Sequence, residues 1–316
     1  MHDIGLPLRA TYYPYGFPVN IFTNSPAVQD AAGEAWSGFS AGFDRQPMVV
    51  RMVVQPEGDL APEPSYRCQG HLMSIVSDSH NFGVLDLRAL FGYAFVSERT
   101  AADHTWLRWF FLEPMVLILL TQRHAIPLHS ACVAKNGCAM LLCGPSGSGK
   151  STLAFACARA GWTFVSDDAS WLVPGSADLT VLGKPHQARL RHDAPRFFPE
   201  LEGYIARARP NGKISIEVPT AEFPEIRTAM RERPRLLVFL RRQEAGAARL
   251  QPLNPRQVWD ELTGDGAYAT YGDEVSALHL AERQRLLELP GYYLYYSDLD
   301  GAIGQLSHLA AGMVKR

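Results

Sequence analysis

The stretch Pro127-Leu-His129-Ser-Ala-Cys-Val-Ala-Lys-Asn136-Gly137-Cys-Ala-Met-Leu-Leu-Cys-Gly144-Pro145-Ser146-Gly147-Ser148-Gly149-Lys150-Ser151-Thr152 decides the fold. Two apolar runs flank Asn136-Gly137, the pair that best tolerates the positive φ angles of a two-residue hairpin turn. A turn there opposes Cys132 to Leu141 and His129 to Gly144. The second hairpin strand then feeds a glycine-rich loop, and the first begins beside that loop.

The loop has the form GxxxxGK[ST]. Its glycines permit the dihedrals that aim successive amides at phosphate oxygens, and the following helix adds its N-terminal dipole. Gly144, Pro145, Ser146, Gly147, Ser148, Gly149, Lys150, Ser151 and Thr152 are therefore the predicted nucleotide-binding residues, with ATP as cofactor. Lys150 is placed at the β- and γ-phosphates and the Ser151 hydroxyl on Mg²⁺.

Ser151 to Ala160 reads as a compact helix ended by Gly161, and Trp162 to Ser166 as a buried strand that stops at Asp167-Asp168. Strand, loop, helix and strand in this order predict a right-handed βαβ unit in a parallel sheet, which brings the aspartates to the loop. One carboxylate would hold Mg²⁺ while the other accepts a proton from an attacking hydroxyl. His129, set beside the loop by the hairpin register, can orient or stabilise an anion there. Beyond the aspartates lie Lys184, Arg189, Arg191, Lys213, Arg241 and Arg242, of which Arg189 and Arg191 share one strand face and one could clamp the moving phosphoryl group.

The stretch His129 to Val173 resembles the catalytic domain of HPr kinase/phosphorylase. The resemblance implies an α/β fold: a P-loop kinase domain of the HPr kinase/phosphoenolpyruvate-carboxykinase-like type, using ATP and Mg²⁺ to phosphorylate a serine hydroxyl. It implies that Lys150 and Ser151 meet phosphates and metal, that His129 is in the active site, and that the aspartates divide the remaining work, with Asp167 favoured as base and Asp168 as metal ligand. Where HPr kinases carry a glycine-rich segment that engages HPr, this chain has Lys184-Pro-His-Gln-Ala-Arg-Leu-Arg191-His-Asp. It looks more like the diverse HPr-kinase-related proteins, some of which phosphorylate a serine on a small natural-product peptide. The expected acceptor is thus a serine-bearing peptide, protein or small molecule, and a homo-oligomer is compatible with the family.

The rest of the chain frames this unit. With 316 residues and 47% hydrophobic composition it can bury a sizeable core. A net charge of −2, from 30 basic and 32 acidic residues, gives no electrostatic footprint for nucleic acid or an anionic membrane. Cys68, Cys132, Cys138, Cys143 and Cys157 lack CxxC spacing, so neither a disulfide framework nor a zinc site is expected and a cytoplasmic setting is. The opening Met1-His-Asp-Ile-Gly-Leu-Pro does not read as a secretory leader. Residues 1–100, with alternating runs at Met48–Val54, Gln69–Ser77, Phe82–Leu87 and Phe91–Val96, form a smaller β-rich region. Residues 101–126 read as a connecting helix, capped by Asp103 and disturbed by Pro114, and 127–316 as the kinase domain. Further strands are predicted at Ser170–Val173, Ile214–Val218, Leu236–Leu240 and Tyr292–Tyr296, the last a core or interface strand. Helices are predicted near Pro255–Leu262, Glu274–Leu289 and Gly301–Lys315, and a mobile loop at Arg207–Asn211. Two other classes fit a bare phosphate loop: a transport-type ATPase, disfavoured because no Leu-Ser-Gly-Gly-Gln segment follows, and a non-catalytic nucleotide-binding regulator.

Overall fold

The computed structural model describes residues 4–208, 214–264 and 272–314, so Lys213 and most of the loop predicted at Arg207–Asn211 lie outside the described residues. The chain is mixed α/β and divides into two compact units, residues 1–125 with 270–277, and 126–269 with 278–316.

In the first unit the strands are β1 (Leu8–Tyr12), β2 (Val19–Thr23), β3 (Met48–Gln55), β4 (Ser65–Gln69), β5 (Leu72–Val76), β6 (Phe82–Asp86) and β7 (Phe91–Ser97), with α1 (Pro26–Trp36) between β2 and β3. They form one sheet in the order β1-β2-β3-β7-β6-β5-β4. Period-2 alternation buries Met73 and Ile75 of β5 on one face and leaves Leu72 and Val76 exposed on the other. Three helical segments follow, α2 (Glu98–Ala102), α3 (His104–Leu107) and α4 (Glu113–Arg123), with a π-turn at Arg108–Leu112 joining the last two. Asp103 caps α3 by accepting from the Trp106 amide at 3.0 Å. The π-turn has a local cause: Pro114 cannot donate to the Phe110 carbonyl and would clash with it, so the turn widens. The Tyr66 hydroxyl donates to that carbonyl instead, at 2.6 Å. Of these helices, α4 packs against β3 within this unit.

The second unit begins with β8 (Ile126–Leu128), β9 (Ser130–Lys135) and β10 (Cys138–Cys143), then α5 (Lys150–Arg159), β11 (Thr163–Ser166), β12 (Ser170–Leu172), β13 (Val181–Leu182) and β14 (Gln187–Arg191). After these come β15 (Arg207–Ala208), β16 (Ile214–Pro219), β17 (Arg227–Thr228), β18 (Arg231–Glu232), β19 (Pro234–Arg242) and β20 (Arg249–Leu253). The helix α6 (Pro255–Gly264) precedes α7 (Asp273–Arg285), whose residues from 278 onward belong to this unit, and β21 (Gly291–Tyr296) with α8 (Leu299–Val314) follow. The main sheet runs β17-β11-β9-β10-β19-β21-β20, beside smaller sheets β18-β13-β12-β8 and β14-β16-β15.

The hairpin has the predicted register: Cys132 opposes Leu141, and Asn136 and Gly137 both take positive φ. The βαβ unit expected in a parallel sheet lies instead in a mixed one. The strands β10 and β11 point the same way but are not neighbours, because β9 lies between them and pairs antiparallel with each. The physical reason is the hairpin itself, which claims one edge of β10 for β9 and leaves β11 only the far edge of β9. On the other side of β10, β19 and then β21 add in parallel.

The core of this unit lies against α5, whose Leu153, Phe155 and Cys157 are fully buried with Trp162, Phe164 and Leu236. Phe155 meets Phe198 and Phe223 edge-on at ring distances of 4.9 and 5.6 Å. Cys132, Cys138, Cys143 and Cys157 are buried thiols outside any disulfide; desolvation pushes Cys157 up to about 12, and they pack as small apolar residues.

Candidate active site

Parallel direction sends the C-terminal ends of β10, β11 and β19 to one edge of the main sheet, together with the N-terminal end of β9. From the end of β10 springs the loop, with φ of +143° at Gly144, +91° at Gly147 and +96° at Gly149. These are left-handed or mirror-extended conformations that side chains resist. A Cβ on Gly149 would in addition run into the Tyr296 hydroxyl. That hydroxyl donates to the Ser148 carbonyl at 2.8 Å and so ties the loop to the end of β21. Burial pushes Tyr296 up to about 12, which keeps it a neutral donor.

Lys150 opens α5 with only 5% of its surface exposed. Its ammonium donates to the carbonyls of Gly144 at 2.5 Å and Pro145 at 3.1 Å and lies 2.9 Å from His129 Nε2. An ammonium has only donors, so Nε2 accepts, which fixes the proton of a neutral ring on Nδ1. Nδ1 faces Asp168 Oδ1 at 3.6 Å. His129 thus stands between the loop lysine and a carboxylate.

Topology explains this meeting. His129 joins β8 in one sheet to β9 in another, and Asp167-Asp168-Ala169 joins β11 to β12 across the same two sheets. The two crossings run side by side, with Leu128 opposite Ser170 in the small sheet and Cys132 opposite Ser166 in the large one. The Ser170 hydroxyl pins them together by donating to the Ser130 carbonyl at 2.9 Å.

The two aspartates part company. Asp167 is 93% buried, and its Oδ2 accepts from the Arg189 amide at 2.6 Å; its carbonyl accepts from the Ser151 hydroxyl at 3.1 Å. Asp168 is half exposed and lies on the wall of a cleft of about 430 Å³. The same cleft is walled by His129, Lys150, Ser151 and Thr152, by Ser146, Gly147 and Gly149, and by a basic group of Arg189, Arg191, His192, Arg196 and Arg242. Arg191 lies over the loop, its guanidinium 3.1 Å from where a Cβ on Gly147 would stand. Its position follows from period-2 alternation in β14, which turns Ala188 and Leu190 into the core and Arg189 and Arg191 outward.

Of the basic residues singled out in the sequence, Arg189, Arg191 and Arg242 line the cleft. Arg241 instead pairs with Glu261 and covers the Tyr293 ring. Sequence reasoning missed Arg196, Phe197 and the loop-tethering role of Tyr296. The first two follow Arg189 and Arg191 on a turn whose path no periodicity reveals, while Tyr296 was legible only as an aromatic strand residue. Among the described residues, no cluster of three or more His, Cys, Asp or Glu could hold a metal, and no helix is long and apolar enough to cross a membrane.

No protein-family model and no curated protein matches the chain. Among solved structures, the HPr(Ser) kinase/phosphatase from Coxiella burnetii is similar at 14% sequence identity with a TM-score of 0.32, over 60% of this chain and 97% of that one. The functional reading therefore rests on the cleft itself.

Proposed function

We propose that the chain is an ATP- and Mg²⁺-dependent kinase of the P-loop, HPr-kinase-like type, which transfers the γ-phosphate to a hydroxyl, with serine of a peptide, protein or small molecule as acceptor. The observation that carries this is the line Lys150, His129, Asp168 on the wall of a cleft whose charged groups are mostly cationic. A polyanion is the ligand such a cleft favours, and the volume is within the usual range for a small-molecule site.

In this reading the loop amides and Lys150 hold the phosphates, and Arg191 meets the charge that builds on the equatorial oxygens. The acceptor oxygen bonds to the γ-phosphorus as the bond to the β,γ-bridging oxygen breaks, and ADP leaves with that electron pair. Asp168 takes the hydroxyl proton. Asp167, the residue favoured as base from the sequence, is assigned a positioning role, since its carboxylate is turned to Arg189 N. Mg²⁺ would be held by the Ser151 hydroxyl and the phosphates' own oxygens, with Asp168 close by as a further negative charge, and would neutralise charge on the β- and γ-oxygens.

The test is titration of ATP with Mg²⁺ by calorimetry, followed by transfer of labelled γ-phosphate to a serine-peptide library. Lys150→Ala should weaken ATP binding at least tenfold, and Asp168→Asn should bind ATP but fail to transfer. Equal ATP binding by Lys150→Ala, or undiminished transfer by Asp168→Asn, overturns the reading.

A further inference from the structure

We infer that Phe197, with Arg196 and Arg242, forms a shelf for the nucleobase, and that it recognises the π-face common to all bases rather than the edge of one. The inference rests on the nucleotide reading above and adds where the nucleoside lies and what selectivity it has.

Residues 189–193, 196 and 197 line the cleft. The Arg189 amide is bonded to Asp167 at the end of β11, the Arg191 guanidinium lies over Gly147 of the loop, and Phe197 lies by Arg242 at the end of β19. In the main sheet β11 and β19 stand on opposite sides of β10, from which the loop springs. A triphosphate cradled by the loop with its γ-phosphate toward His129 and Asp168 therefore runs toward β19, and the nucleoside beyond it reaches Phe197.

The chemistry there suits a base. The Phe197 ring is half buried on the cleft wall, anchored on its inner side against the core of the unit. The guanidinium of Arg196 lies over it at 4.5 Å from the ring centre and that of Arg242 at 5.8 Å. A base can stack on the ring or on a guanidinium plane, interactions that every base offers through its π-face. Such a shelf binds without reading hydrogen-bonding edges, so adenine and guanine are held with similar strength.

The experiment compares ATP, GTP and inorganic tripolyphosphate, each with Mg²⁺, by calorimetry on the full chain and its Phe197→Ala, Phe197→Trp and Arg242→Gln variants. The wild type should bind ATP and GTP within about threefold of each other. Phe197→Ala should weaken both about tenfold while tripolyphosphate changes less than twofold; Arg242→Gln should weaken both severalfold, and Phe197→Trp should keep or improve them. The tripolyphosphate arm also guards against a merely misfolded Phe197→Ala, and Phe197→Trp and the exposed Arg242→Gln provide a second reading without a large cavity. Equal losses for ATP and tripolyphosphate, an unchanged ATP affinity in Phe197→Ala, or a strong preference for ATP over GTP overturns the shelf. Failure of both ATP and tripolyphosphate to bind the wild type overturns the nucleotide reading and the shelf with it, an outcome distinct from shelf failure alone.

Discussion

His129 Nε2 accepts a hydrogen bond from the Lys150 ammonium at 2.9 Å, while Nδ1 of the same ring faces Asp168 Oδ1 at 3.6 Å. One imidazole therefore links the lysine of the glycine-rich loop to a carboxylate on the cleft wall. A group so placed should matter more to transfer than to binding, since it orients reacting groups without supplying the loop amides. His129→Gln is expected to lower kcat by about 10²-fold and to change KM for ATP by less than about fivefold. Steady-state kinetics decides it: a rise in KM at constant kcat would assign His129 to ground-state binding only.

The aspartates should separate by readout. Asp168→Asn is expected to reduce transfer by roughly 10²- to 10⁴-fold with an unchanged unfolding midpoint, because the side chain is half exposed and, in the proposed reaction, takes the hydroxyl proton. Asp167→Ala removes the acceptor of the part-buried Arg189 amide and should cost about 1–3 kcal/mol in urea unfolding. The reverse pattern, a stable Asp167→Ala and a destabilised Asp168→Asn, would undo this division.

Tyr296 and Gly149 meet at the glycine-rich loop. Tyr296→Phe deletes the hydroxyl that donates to Ser148 and should weaken ATP binding severalfold, on the order of 1 kcal/mol. Gly149→Ala should be worse, since its φ of +96° is strained for any side chain and the new methyl meets that same hydroxyl. In the double variant part of the Gly149→Ala loss should return, a coupling that a double-mutant cycle on ATP affinity measures. Strict additivity would mean that the contact does not hold the loop.

His186 supplies a pH dependence. Burial, reinforced by Lys184 and Arg189, lowers it to about 4 in the fold, from 6.5 for a free histidine. The unfolded chain then binds more protons between these values, so stability is complete above about pH 6.5 and falls as pH drops toward 4. Allowing for partial solvent exposure, the loss should be about 1–2 kcal/mol, and His186→Gln should flatten that part of the profile. Chemical denaturation across pH 4–7 measures it, and an equal slope in both proteins would assign the effect to other groups.

Much of this site was legible in the sequence because it is encoded locally. Asn136-Gly137 sets a turn, the turn sets the register, and the register carries His129 to the loop; Gly144 to Thr152 marks the bend and helix start by residue type alone. The alternation of Arg189 and Arg191 likewise survives from sequence to strand.

What the sequence by itself determined, then, is the hairpin, the loop, its helix and the strand ending in Asp167-Asp168, since each depends on dihedral preference or short-range periodicity. Only the tertiary structure decided that β9 stands between β10 and β11, so that His129 bridges Lys150 and Asp168, and that Asp167 turns away to the Arg189 amide. It also decided that Gly183 lies so close to the Val165 carbonyl that no side chain fits there, and that Tyr296 reaches back to Ser148. These relations join residues far apart in the chain through sheet order and close packing, and neither has a signature in the spacing of residue types.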